Sequence, residues 1–291
     1  MTRDDVLACS VRGCGAPLER GERSWRCANG HAFDVARSGY VNLLQPQDRR
    51  SDAAGDARAS VEARARLVAA GVARGLHDEI ERRVEALGLA AGAVVLELGA
   101  GTGELLARLQ RRFAARGIGI ELSTFAAERA ARTFPACTWL VANADRRLPI
   151  LGRSVDLVLA VNARRNPEEC ARVLWPGRRL LAVVPAAADL VELRTAVHGE
   201  ERRDRGPDLE RELAPALRIV ERATWTEQRT LARPELLDLL AATYRGARRS
   251  AAPRVDALDT LAVTFAADIV LAEPASDEHE LPETPQGRAP E

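Results

Sequence analysis

The stretch that most constrains this chain is Val94-Val95-Leu96-Glu97-Leu98 running into Gly99-Ala100-Gly101-Thr102-Gly103. An apolar, largely β-branched run that stops at closely spaced glycines reads as a buried parallel strand turning sharply into a helix, here expected over Glu104 to Ala115. Glycines can take positive φ and let a backbone approach a ligand closely, while a helix N-terminus offers free N–H groups and a partial positive charge. The corner is therefore built for a nucleotide-like ligand.

Spacing narrows the ligand. A dinucleotide fold uses Gly-x-Gly-x-x-Gly, whereas Gly99, Gly101 and Gly103 give Gly-x-Gly-x-Gly with Glu97 two residues ahead. Gly117-Ile118-Gly119-Ile120-Glu121 follows one β-α-β unit later, a short strand ending in a carboxylate placed to accept both hydroxyls of a ribose. The pair of motifs resembles the first two motifs of class I S-adenosylmethionine (SAM) methyltransferases. That resemblance implies a Rossmann-like α/β fold with a mostly parallel seven-stranded sheet. It also implies that Glu97 lies near the methionine part of SAM, that Gly99, Gly101, Thr102 and Gly103 line the cofactor, and that Glu121 holds the ribose.

Cys9-x4-Cys14, twelve residues, then Cys27-x3-His31 supplies three thiolates and an imidazole in two knuckles. Four N/S ligands in pairs make a closed tetrahedral shell for a structural Zn²⁺, with no position left for water. A segment this short, with Trp25 and Phe33 as its main bulky residues, cannot bury enough surface alone, so metal binding supplies the missing stability. Gly13, Gly15, Pro17 and Gly30 sit where the knuckles must turn. The residues that follow, Ser24-Trp25-Arg26-Cys27-Ala28-Asn29-Gly30-His31-Ala32-Phe33-Asp34-Val35-Ala36-Arg37-Ser38-Gly39-Tyr40-Val41-Asn42-Leu43-Leu44, form a dense signature. With the SAM motifs, they resemble the 23S ribosomal RNA guanine-N1 methyltransferases, a family that includes macrolide-resistance enzymes, over nearly the whole chain to about residue 272.

The expected organisation is a zinc-ribbon RNA-recognition module over 1–50, a helical linker covering the cofactor over 51–90, the methyltransferase domain over 91–273 and a disordered tail over 274–291. Helices are expected over Ala57 to Val72 and Leu76 to Leu87, the first with Val61, Ala65, Val68 and Ala69 inward and Arg58, Arg64 and Arg66 on the surface. Later elements are a helix from Ser123 to Phe134, strands Thr138 to Ala142 and Asp156 to Val161, a helix from Glu168 to Leu174 and a strand from Arg179 to Val184. An edge strand over Glu212 to Glu227, a helix from Pro234 to Thr243 and a final strand from Thr260 to Leu271 complete the reading.

Class I methyltransferases place a polar residue against the adenine amino group where this chain has Ala142-Asn143-Ala144-Asp145; Asn143 and Asp145 are both candidates. Asp189 stands where the family carries His-Leu-x-Glu-Leu and is read as a further cofactor contact. Two more departures surround the pocket: Gly71-Val72-Ala73 replaces Gly-His-Tyr, and Asn162-Ala163-Arg164 replaces Phe/Tyr-Ala-Pro. No residue stands out as the catalytic proton acceptor, although Asp145 and Asp189 are within the pool. Cys137 and Cys170 sit beside apolar runs and read as buried small residues.

The resemblance implies transfer of a methyl group from SAM to N1 of a guanine in a 23S rRNA hairpin. Alternatives are a SAM enzyme acting on a small molecule and a catalytically weakened rRNA-binding relative. The 42 basic residues, all Arg, balance 42 acidic ones, so no global charge draws the chain to nucleic acid or membrane. Local clusters remain: Arg49 and Arg50 in the linker, and Arg245, Arg248, Arg249 and Arg254 near the last strand. With no long apolar span and no signal-peptide pattern, the expectation is a soluble cytoplasmic protein without a membrane partner. Homodimers occur among its look-alikes, which makes a homodimer an expectation as well.

Overall fold

The computed structural model describes residues 6–48, 55–198, 206–243, 255 and 257–275. Arg49, Arg50, the arginine cluster at 245–254 and the tail beyond 275 lie outside the described residues.

The chain begins with three short antiparallel strands, β1 (Leu18–Arg20), β2 (Ser24–Cys27) and β3 (Ala32–Asp34), followed by β4 (Val41–Asn42). Helices α1 (Arg58–Ala69) and α2 (Arg74–Ala86) lead into an alternating series. That series is β5 (Val94–Leu98), α3 (Glu104–Phe113), β6 (Arg116–Glu121), α4 (Thr124–Thr133), β7 (Thr138–Val141), β8 (Val155–Val161), α5 (Pro167–Val173) and β9 (Leu174–Pro185). The last part holds α6 (Val191–His198), α7 (Gly206–Leu213), β10 (Leu217–Ala232), α8 (Arg233–Thr243) and β11 (Thr260–Pro274).

Among the described residues the main sheet has the order β10-β11-β9-β8-β5-β6-β7-β4. Strands β4 to β9 pair in parallel, and β11 and β10 close the far side antiparallel. The seven strands β5 to β11 form the class I methyltransferase sheet, and β4 extends it as an eighth. Every residue of β5 is buried, as expected of a central strand with helices on both faces.

Alternation along β5 divides the interior. Val94, Leu96 and Leu98 join one core with Leu7, Leu18, Trp25, Leu148 and Ile150, so the N-terminal ribbon and the sheet share apolar packing. Val95 faces the other core, with Ile80, Leu105, Leu106, Leu109 and Trp139 beneath α2 and α3. Backbone pairing seals the junction: Ala8 N–H donates to the Pro149 carbonyl, Leu151 N–H to the Val6 carbonyl, and Leu43 N–H to the Val141 carbonyl.

Three expectations change. Residues 206–213 are the helix α7, ended just before Pro215, so the edge strand begins only at Leu217. Helix α6 follows Asp189 and was not expected. Helix α1 buries Val61, Ala63, Ala65 and Leu67 rather than one stripe, because it is wedged between α8 and α4. Arg64 is half-exposed, in keeping with its expected place at the surface, and its Nη1 lies near Gly101 of the glycine corner. Among the described residues no helix is long and apolar enough to cross a membrane.

Candidate active site and metal centre

In the ribbon, the ligand atoms of Cys9, Cys14, Cys27 and His31 all lie within 4.8 Å of one another. His31 Nδ1 is 3.4 Å from the sulfurs of both Cys9 and Cys27, and the Cys14 and Cys27 sulfurs are 3.9 Å apart. Ligands of a tetrahedral zinc with bonds of about 2.0–2.3 Å stand roughly 3.5–3.8 Å from each other, so the cluster has the dimensions of a closed Cys₃His shell. The turns are built as the spacing requires: Gly30 N–H donates to the Cys27 carbonyl and Cys27 N–H to the His31 carbonyl. Gly13, Gly15 and Gly30 hold φ of 79°, 64° and 84°. Asn29 Nδ2 donates to the Cys14 sulfur at 3.2 Å, the outer hydrogen bond that a zinc thiolate commonly receives.

At the glycine corner Gly99, Gly101 and Gly103 have φ of 65°, 57° and 87°. Space forbids side chains as firmly as torsion does. A Cβ on Gly103 would stand 2.3 Å from the Trp139 ring, and one on Gly119 would stand 2.4 Å from the same ring. The buried indole thus fills the floor beneath both motifs, anchored by its N–H to the Phe134 carbonyl at 2.9 Å. A Cβ on Gly99 would meet the Ala163 methyl at 2.6 Å, so the loop after β8 closes onto the corner from the other side.

Two buried carboxyls flank these glycines. Glu121 accepts the Gly101 N–H at 2.9 Å through one oxygen and the Ser123 N–H at 2.8 Å through the other. Its burial pushes its pKa upward, and those two N–H groups pull against the shift. Glu97 is buried beneath the start of α3; burial, followed by the nearby charge of Glu104, raises its pKa to about 8, against the pull of the Leu106 N–H. Its Oε2 has no hydrogen-bond partner among the described residues. A buried carboxyl left half-satisfied is costly unless a ligand completes it.

The third wall is the turn after β7. Asn143 spends its carboxamide on the backbone, donating to the Asp48 carbonyl at 2.9 Å and accepting the Asp145 N–H at 3.0 Å. Asp145 is partly exposed and pairs with Arg164 at 3.0 Å. Beyond β8, Asn162 is exposed and held at φ 52°, and Arg165 ties the loop to Glu212 at 3.0 Å. Asp189 lies on the segment after β9, where it accepts the Ala266 N–H at 3.1 Å. The geometry therefore gathers Glu97, Thr102, Glu121 and the glycines at one corner, with Asn143 and Asp145 on the next turn, while Asp189 is anchored to β11.

Comparison with known proteins meets this arrangement. The family model described as "RlmA, N-terminal", a zinc ribbon, matches residues 8–52, and a methyltransferase-domain model matches residues 95–182. A Micromonospora griseorubida protein, provisionally named a 23S rRNA (guanine-N(1)-)-methyltransferase, is 38% identical over 64% of this chain and 68% of its own length. The chain belongs to the 23S rRNA (guanine-N1)-methyltransferase family. The 23S rRNA (guanine(748)-N(1))-methyltransferase of Streptomyces fradiae is 40% identical over 63% of this chain, and the match spans 65% of that relative, just under two thirds. YxjB of Bacillus subtilis is 33% identical over 60% of this chain and 62% of its own length. Family membership, the methyltransferase domain and the Cys₃His cluster make SAM and a structural zinc ion the cofactors.

Two residues beside the corner stand out only in the folded chain. Asp56 and Arg64 form an ion pair at 2.8 Å beside the corner. The Asp56 carbonyl also accepts the Ser123 hydroxyl at 3.1 Å, which brings the pair next to Glu121. The one available signal was an acid and a base eight residues apart across a helix start, too weak to single out. Cys137 and Cys170 are buried as expected, and burial lifts their thiols to about 11 and 12, far from nucleophilic.

Proposed function

We propose that this protein transfers the methyl group of SAM to N1 of a guanine in a hairpin of 23S rRNA. The observation that carries the reading is the fusion of a Cys₃His ribbon to the outer edge of the same sheet that holds the Glu121 corner, through a shared core. The names of the relatives point to the same substrate.

When bound, SAM supplies a methyl group already activated on a sulfonium, so the chain's own work is alignment, exclusion of water and removal of one proton. Glu121 would hold the ribose hydroxyls, using the lone pairs its two backbone donors leave. Gly99, Gly101, Thr102 and Gly103 would admit the cofactor against bare backbone, with Glu97 toward the methionine end. For the adenine amino group Asp145 is the better acceptor, since Asn143 is committed at both ends of its carboxamide. Asp189, fixed to β11, would stand at the cofactor side of the mouth.

The target guanine would enter at the carboxyl ends of β8 and β9, by the crevice rule for open α/β sheets. A paired base must first be extruded, at a few kcal/mol. The zinc ribbon would guide the RNA by shape and phosphate contact, with Arg the suited donor. The RNA target would place the reaction in the cytoplasm, with the chain acting as a homodimer like its look-alikes.

The test is mass mapping of methylated guanines in stripped 23S rRNA after incubation with zinc-loaded protein and SAM. A new N1-methylguanine in one hairpin is expected. Transfer to small molecules alone, or SAM binding with no transfer to any RNA, overturns the reading.

A further inference from the structure

The corner described above is crowded with acids: Glu97, Glu104 and Glu121 stand on or beside it. Such a wall suits the hydroxyls and positive groups of SAM and repels the one anionic group of that ligand, its methionine carboxylate. A cation is needed for that end. Among the described residues, the guanidinium set against the glycine loop is that of Arg64, whose Nη1 lies 3.9 Å from where a Cβ on Gly101 would stand.

Arg64 is held for such a task. Its Nη2 donates to Asp56 Oδ2 at 2.8 Å and to the Ala242 carbonyl at 3.3 Å, while Nη1 has no hydrogen bond among the described residues. Helix α1 is fixed in turn: Arg66 forms a two-point pair with Asp238 on α8 at 2.6 and 2.9 Å, and Ser60 donates to the Ala241 carbonyl at 2.9 Å. Gly55 lies so close to the turn after β6 that a Cβ there would stand 2.5 Å from the Ser123 nitrogen, which pins Asp56 beside Glu121. The guanidinium is thus preorganised, with one edge spent on protein and the other turned to the cofactor corner.

We infer that Arg64 binds the methionine carboxylate of SAM and that Asp56 positions its guanidinium. The inference rests on the SAM reading of the corner. A charge-assisted bond from a preset guanidinium to a carboxylate is among the stronger polar contacts, so its loss should reach tenfold or more in affinity.

Calorimetry with the full-length, zinc-loaded protein tests this by comparing SAM with decarboxylated SAM, which lacks only the carboxylate. Wild type should prefer SAM by about tenfold or more. Arg64→Gln should weaken SAM by that factor and leave decarboxylated SAM unchanged, so that the preference disappears. Arg64→Lys should restore part of it, and Asp56→Asn should reduce it without abolishing it. Equal binding of the two ligands by wild type, or equal losses for both in Arg64→Gln, overturns the inference. Should Arg64→Gln fail to fold, the wild-type ratio and the Asp56→Asn ratio still decide. Absence of binding by wild type to either ligand would instead sink the SAM reading itself, and this inference with it.

Discussion

The ribbon and the glycine corner sit on the same sheet yet are held together by different physics. The ribbon has three strands of three or four residues and places its thiols and imidazole where a metal must replace a core. The corner has its support already in place: Trp139 fills the floor, Ala163 closes one side, and two N–H groups grip Glu121. One region is incomplete without its ion, whereas the other is a finished cradle with a single unsatisfied oxygen on Glu97.

Metal removal should therefore separate the two most widely. Structural zinc contributes about 10–16 kcal/mol to folding in small zinc modules. Stripping zinc, or His31→Ala, should unfold the ribbon and shift the fluorescence of Trp25, which is buried in the shared core. SAM affinity should fall only a few-fold, because α2, α3 and Trp139 lie on the opposite face of the sheet. A fluorescence titration with chelator beside a SAM calorimetric titration checks both. Loss of both signals in parallel would mean that the two regions fold as one unit.

Substituting the corner glycines comes next in size. Gly119→Ala adds a methyl against the indole and should cost roughly 1–3 kcal/mol by overpacking. Gly103→Ala adds a similar clash and also a left-handed residue, worth a further 1–2 kcal/mol. Trp139→Leu should rescue most of the first and only part of the second, since φ of 87° at Gly103 persists. Thermal midpoints of the single and double variants read this directly. Complete rescue of Gly103→Ala would show that packing, not torsion, fixes that glycine.

Legibility followed the same division. Glu97, Glu121 and the three glycines announced a strand-to-helix corner flanked by carboxyls because strand, turn and carboxylate fall at fixed short spacings, and the ribbon was readable for the same reason in Cys9, Cys14, Cys27 and His31. What escaped depends on contacts distant in sequence. Arg64 reads as a solvated helix residue until Asp56, Ala242 and Gly101 are brought around it. Gly99 looks like a ligand glycine, but Ala163, far along the chain, also requires it. The alternation of β10 continues past Glu227 to Ala232, and its start was obscured by α7, two turns long, whose helical period rests on the pair Leu209 and Leu213. The eighth strand, two residues long, exists only because β7 offers it an edge.

Removing the carboxylate proposed to hold the ribose should change ligand affinity at the corner alone. Glu121→Ala should weaken SAM by about 10- to 100-fold, the range for losing charged hydrogen bonds of 1.5–3 kcal/mol. Zinc content and the Trp25 signal should stay as they are. Unchanged affinity would remove Glu121 from the cofactor site and leave it as a cap for Gly101 and Ser123.

The smallest expected effect is a pH dependence from Glu97, and its sign follows from charge. Burial raises this carboxyl to about 8, so the unliganded protein holds it largely protonated at pH 7. For stability, the raised folded value favours the fold most below the unfolded pKa, and this advantage is lost as pH rises from about 4.5 toward 8. Binding acts the other way. A ligand bringing a sulfonium and an ammonium to this end of the corner favours the carboxylate, so binding at pH 7 should release part of a proton. SAM affinity should accordingly rise several-fold between pH 7 and 8 and level off above. Calorimetry in buffers of different ionisation enthalpy measures the proton directly, and Glu97→Gln should abolish both the release and the slope. A slope that survives in Glu97→Gln would assign the proton to another group and leave the buried, unpartnered Oε2 of Glu97 without a ligand to complete it.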